Sequence, residues 1–139
     1  MQASLILWPM SVQILLTLLI FIPLTLRKKQ AIREGADLTR TPLNNSAWPE
    51  SVLKASNNLQ NQFQLPVLFY ALCLMFIVTE GVSYWVLSLA WVFVVSRILH
   101  SYVHITSNYV PHRMRIFILG YLVLIAMTLT QLSHIWVSN

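Results

Sequence analysis

Charge is what this chain has least of. Of its 139 residues, 9% are Asp, Glu, Lys or Arg and 57% are hydrophobic, and its mean hydropathy is +0.66. Soluble domains carry roughly 25% charged residues, so the composition points into a bilayer. Glycine is scarce: three residues leave no Gly-rich phosphate loop. Cys73 is the only cysteine, which rules out an internal disulfide. It stands in an apolar segment without basic neighbours and is expected to be inert packing. No acidic residue accompanies Ser101 and its neighbouring histidines, so a Ser-His-Asp arrangement is excluded. His100 and His104 have the i, i+4 spacing that can bind zinc with a third ligand. No Glu stands between them, Cys73 lies too deep in its own span, and Arg97 would repel a cation. No metal is expected.

What the chain does have is long apolar runs. Its length suits one domain, and residues 1–139 are read as a single all-α unit, an integral membrane four-helix bundle. Four spans can be drawn, at 5–26, 64–78, 82–105 and 116–137. A spanning helix needs roughly 20 residues, within about 17 to 25. The second run is short unless its helix extends back through 57–63, and no charge from 55 to 79 prevents that. A helix is expected to start near Glu50 or Ser51, just after Pro49, and to run into that span. Its first part is amide-rich and must be shielded from lipid by other helices. The first run lacks a basic leader region and ends in Arg27, Lys28 and Lys29, so it reads as a retained span rather than a signal peptide.

Positive charge sets the topology. Nine Lys and Arg give a net charge of +5. Arg27, Lys28, Lys29, Arg33, Arg40 and Lys54 lie between the first two spans. Arg97, Arg113 and Arg115 lie on or beside the third connection. The second connection, 79–81, carries only Glu80. The positive-inside rule then places both basic loops in the cytoplasm and both termini outside. The charge is read as topology, with no nucleic-acid partner expected. Trp8, Trp85 and Trp136 are expected at the non-cytoplasmic interface, Trp48 near the cytoplasmic one, and Trp91 in packing. The long connection, 27–49, is expected to begin with Gly35 stopping the first helix. Beyond that it is either a functional lid or a plain crossover.

Two polar constellations stand out. Arg97, Ser101, His104 and Asn108 share one helical face, with His100 alongside. Asn57, Asn61 and Gln64 share a face of the second helix. Both sets lie on the cytoplasmic side and can line one polar pocket, with Arg113 folding over it. Ionisable groups at such depth usually face a bundle interior or a wet cavity. The plainer alternative is hydrogen bonding between helices.

The run Asn61-Gln62-Phe63-Gln64-Leu65-Pro66-Val67-Leu68-Phe69-Tyr70 resembles the second helix of MAPEG proteins, the membrane-associated proteins of eicosanoid and glutathione metabolism. So does Arg97-x-x-His100-Ser101-x-x-His104-x-Thr106-x-Asn108, followed by Arg113. Arg33-Glu34-Gly35 fits the end of that family's first helix. The resemblance covers essentially the whole chain and is of a divergent, bacterial type. It implies a homotrimer in a bacterial inner membrane, with glutathione between adjacent subunits near the cytoplasmic side. Lipophilic substrates or membrane lipid would enter from the bilayer. Carried over by motif, Asn57, Asn61, Gln64, Arg97, His100 and His104 would bind glutathione and Arg113 would be the catalytic, thiolate-stabilising cation.

The chain departs from the family pattern at several of these places. Asn57 stands where glutathione-binding members usually have Arg, and Gln64 where they have an acid. Thr25 stands where many have Arg, and His104 where Tyr is frequent. Charge-assisted hydrogen bonds are roughly twice as strong as neutral ones, so these exchanges imply weaker glutathione binding or a different ligand. Two functions follow. One is a glutathione-dependent transferase or peroxidase acting on lipophilic electrophiles. The other is a catalytically silent member that binds a hydrophobic ligand or stabilises a membrane complex.

Overall fold

The computed structural model describes residues 3–138 and is all-helical. Helix α1 spans Leu7–Arg33, α2 Glu50–Asn61, α3 Leu65–Val78, α4 Tyr84–Ile105 and α5 Val110–Ser138. Four helical stretches are long and apolar enough to cross a membrane: Ala3–Arg33, Glu50–Val78, Tyr84–Ile105 and Val110–Ser138. Residues 1, 2 and 139, and hence the chain termini themselves, lie outside the described residues.

The helix boundaries have local causes. Gly35, at φ 90°, ends α1. There the amide of Ala36 donates to the carbonyl of Ala31 and that of Gly35 to Ile32, which satisfies carbonyls the helix leaves open. The second span, expected as one continuous helix, is broken between Asn61 and Leu65. Pro66 is the reason: it has no amide proton to give the carbonyl of Gln62, and its ring would clash there. Ser83 caps α4, its hydroxyl accepting from the amide of Val86 at 3.2 Å. Helix α5 begins at Val110, earlier than the apolar run at 116 suggests, so Arg113 belongs to its first turns.

The turn joining α3 to α4 is pinned to α5. Gln131 Nε2 donates to Thr79 Oγ1 at 3.1 Å and His134 Nε2 to the Thr79 carbonyl at 2.9 Å. A Cβ on Gly81 would lie 2.7 Å from the His134 ring, so a larger residue there would force that ring to shift. At the other end of the bundle, Arg27 donates to the carbonyls of Ser51 at 2.9 Å and Ile105 at 3.1 Å, joining α1, α2 and α4.

The main apolar core gathers Phe69, Cys73 and Phe76 of α3, Val86, Phe93 and Val94 of α4, and Met127 of α5. Phe69 stacks on Phe93 at 4.6 Å. Outward faces are also apolar, as Leu18, Leu68, Leu99 and Leu122 show by their exposure. In water that arrangement would be costly; in lipid it is the expected one. Trp8, Trp85 and Trp136 are exposed, and so is Trp91, which had been expected in packing. Lys28 lies over the Trp48 ring at 5.3 Å.

Candidate functional site

The inward face of α4 changes character along its length. Phe93 and Val94 are followed by buried Ser96, Arg97, His100, Ser101 and His104. Ser101 accepts from Gln62 Nε2 at 3.0 Å, and Gln62 Oε1 accepts from Gln13 Nε2 at 3.0 Å. This chain of hydrogen bonds ties α1 and α4 to the break that Pro66 makes after α2.

The short turn from α4 to α5 folds Arg113 back onto α4. Its Nη1 donates to Asn108 Oδ1 at 2.6 Å and to His104 Nε2 at 3.2 Å. A guanidinium only donates, so His104 Nε2 carries no proton and the ring is neutral with its proton on Nδ1. The Arg113 carbonyl only accepts, so His100 Nδ1 donates to it at 3.2 Å. Asn108 reaches Arg113 from the left-handed region, at φ 50°, which Asn tolerates better than most side chains.

A cavity of about 180 Å³ opens beside this turn, lined by Asn61, His100, Val110, Arg113, Met114 and Phe117. Asn61, His100 and Arg113, from three different helices, thus share one cavity. His104 stands behind Arg113. Arg97 is fully buried and lies under Phe117, its Cζ 5.6 Å from the ring centroid, rather than on the cavity wall. Asn57 and Gln64 are exposed on the outer surface of the protomer.

Gln13, Asn58 and Gln62 are buried and were not expected to be interior groups of this region. The signals were a lone amide in an apolar span and a second i, i+4 amide pair beside the one read as inward.

The electrostatics of the site are one-sided. The chain holds four acidic residues, Glu34, Asp37, Glu50 and Glu80. Asp37 pairs with Arg40 at 3.5 Å, Glu50 with Lys54 at 2.8 Å, and Glu34 accepts from Gln30 at 2.8 Å. Glu80 is exposed in the turn after α3. None reaches Arg97 or Arg113.

The MAPEG family model matches residues 5–133. The chain belongs to the MAPEG family. No curated protein and no solved structure matches it. This MAPEG protein is an integral membrane protein by its family and by its four apolar helices. The family includes glutathione-related transferases and other members, so membership leaves the ligand to be argued from the site.

Proposed function

We propose that this MAPEG protein is a glutathione-dependent transferase or peroxidase acting on lipophilic electrophiles. It works as a homotrimer in a bacterial inner membrane, with both termini on the non-cytoplasmic side. The observation that carries this reading is the cavity shared by Asn61, His100 and Arg113, with the Arg113 guanidinium on its wall and no carboxylate in reach among the described residues. Such a site favours a thiolate and carboxylates, which glutathione provides.

Arg113 stabilises the thiolate over the thiol. Its guanidinium is fixed in advance by Asn108 and His104, so little rearrangement is needed as charge develops. His100, whose Nδ1 donates to the Arg113 carbonyl, holds the start of α5 against α4 beside the cavity. Asn61 supplies amide contacts. The fit is incomplete at the ammonium of glutathione, which meets only amides where an acid would serve better. Asn57 and Gln64 reach a shared site only if a neighbouring protomer covers the exposed face of α2, and a lipid-facing amide row needs such a cover.

One observation favours the silent-binder reading. An apolar groove of about 190 Å³ runs between α3 and α5, lined by Leu68, Tyr121, Leu124, Ile125, Thr128 and Leu129. It suits a hydrophobic ligand and brings no charged side chain to it. Calorimetric titration of the purified protein with glutathione separates the two readings: saturable binding supports the first, and no binding leaves the second. Mass in mild detergent should correspond to three chains, and a stable monomer contradicts the assembly.

A further inference from the structure

We propose that the cleft between Arg27 and Lys54, at the basic end of the bundle, binds the phosphate of a phospholipid headgroup. The cleft has a volume of about 420 Å³ and is lined by Arg27 and Gln30 of α1, Glu50, Ser51 and Lys54 of α2, and Thr106 just after α4. None of these residues lines the cavity shared by Asn61, His100 and Arg113. Its depth follows from the sequence. Arg27 is the first charged residue of the chain and comes directly after the apolar run that ends at Leu26. Thr106 follows the last residue of α4, and Glu50 opens the helical stretch that becomes the second span. Three spans therefore leave the hydrocarbon beside this cleft, at the level of the lipid headgroups.

The charges of the cleft do not cancel. Lys54 Nζ pairs with Glu50 at 2.8 Å, and the Glu50 side chain is 80% exposed. Arg27 meets no carboxylate. Its Nη1 donates to the Ser51 carbonyl at 2.9 Å and its Nη2 to the Ile105 carbonyl at 3.1 Å, both neutral. Two cations against one carboxylate leave one positive charge in the cleft, and a phosphodiester carries one negative charge. Donors remain for it. A guanidinium has five N–H groups and an ammonium three, so Arg27 and Lys54 each keep donors beyond the bonds just given. The Ser51 hydroxyl is a further donor on the wall. The two carbonyls fix the guanidinium before a ligand arrives, which lowers the cost of binding. Helix α2 starts here without a side-chain cap, so the positive end of its dipole adds the same sign.

Depth makes a membrane lipid the occupant, and charge selects among lipids. In phosphatidylglycerol the phosphate is the only charged group. Phosphatidylcholine adds an ammonium, which Arg27 and Lys54 repel and for which no acid is left, because Glu50 is committed to Lys54. Free inorganic phosphate offers the same oxygens without the anchoring chains.

This inference goes beyond the glutathione reading and does not need it. The test uses the whole protein in a non-ionic detergent, without glutathione. The unfolding temperature is followed while dihexanoyl phosphatidylglycerol, dihexanoyl phosphatidylcholine or inorganic phosphate is titrated. Phosphatidylglycerol should raise it saturably, with an affinity roughly ten-fold above that of phosphatidylcholine, whose ammonium meets like charge. Arg27→Gln and Lys54→Gln should each weaken phosphatidylglycerol binding by roughly ten-fold, the difference between a charged and a neutral hydrogen bond. Glu50→Gln should strengthen it, because Lys54 is released to the phosphate. Arg40→Gln, at an exposed side chain outside the cleft, should leave it unchanged. Lys54→Gln keeps both bonds from Arg27 to the backbone, so the proposal stays testable should Arg27→Gln not fold. A shift by inorganic phosphate that Lys54→Gln removes marks the free ion as a second source; a shift by phosphatidylglycerol alone marks the lipid. Equal affinities for the two lipids in wild type, an undiminished response in Lys54→Gln, a weaker one in Glu50→Gln, or an equal loss in Arg40→Gln would overturn it. Because glutathione is absent throughout, failure here leaves the glutathione titration standing, and the reverse also holds.

Discussion

Arg113 Nη1 lies 3.2 Å from His104 Nε2, across the turn that joins α4 to α5. The same nitrogen donates to Asn108 at 2.6 Å. The guanidinium is thereby held by one edge and leaves its other nitrogens for a ligand. Two neutral acceptors orient the charge without cancelling it, which is what a thiolate-stabilising cation requires.

Asn108 is the residue through which this arrangement can be tested. It supplies an acceptor and also sits at φ 50°. Asn108→Gly removes the acceptor together with the Cβ that is held in the left-handed region, while Asn108→Ala removes the acceptor and keeps that Cβ, at about 1–2 kcal/mol relative to glycine. Both variants should lose glutathione-dependent turnover relative to wild type. In thermal unfolding, Asn108→Ala should be the less stable of the two by about that amount. Equal turnover in wild type and Asn108→Gly would show that Arg113 needs no orienting partner.

Gln62 should matter for stability more than for chemistry. Its amide links Gln13 to Ser101 at 3.0 Å on each side. Gln62→Leu strands buried polar partners and should cost about 1–3 kcal/mol, near the low end if the membrane-embedded unfolded state finds substitutes. Adding Gln13→Leu should cost less than its single effect, because one stranded group is removed. Strict additivity of the two in a double-mutant cycle would mean that the bond contributes nothing.

Two substitutions separate binding from catalysis at the cavity. Gln64→Glu supplies an acid for the ammonium of glutathione. Charged hydrogen bonds exceed neutral ones by about 1–1.5 kcal/mol, so affinity should rise roughly ten-fold. Arg113→Ala should reduce turnover with a generic aryl halide more than it reduces glutathione affinity, since it acts mainly where charge develops. Parallel losses in both quantities would reassign Arg113 to ground-state binding.

Much of the fold was legible because each apolar run had to be a helix in lipid. Gly35 ended α1 where its conformational freedom is needed. The break before Leu65 was misread as continuous helix, although Pro66 carries the signal in its missing amide proton. In the site, the helical spacing puts Arg97, Ser101 and His104 on one face with His100 alongside, and all four are buried. It could not decide which of the neighbouring amide rows, 57 and 61 or 58 and 62, turned inward. That choice depends on Gln13, a residue 49 positions from its partner Gln62, and no local pattern encodes such a contact. The placement of Arg97 behind Phe117 was likewise out of reach, because it depends on where α5 begins.

The topology should follow the basic residues. A reporter fused after Asn139 should lie outside the cytoplasm, and one inserted in the loop containing Pro42 and Asn44 should lie inside it. The six Lys and Arg between the first two spans (Arg27, Lys28, Lys29, Arg33, Arg40 and Lys54) give this its direction. Reporters on the same side would contradict a four-span arrangement.

The most direct test of the central claim is calorimetric titration of glutathione into the purified protein, with wild type and Gln64→Glu side by side. The account predicts saturable binding in wild type and tighter binding in Gln64→Glu. Undetectable binding in both would contradict it and leave a MAPEG protein whose cavity serves a different ligand.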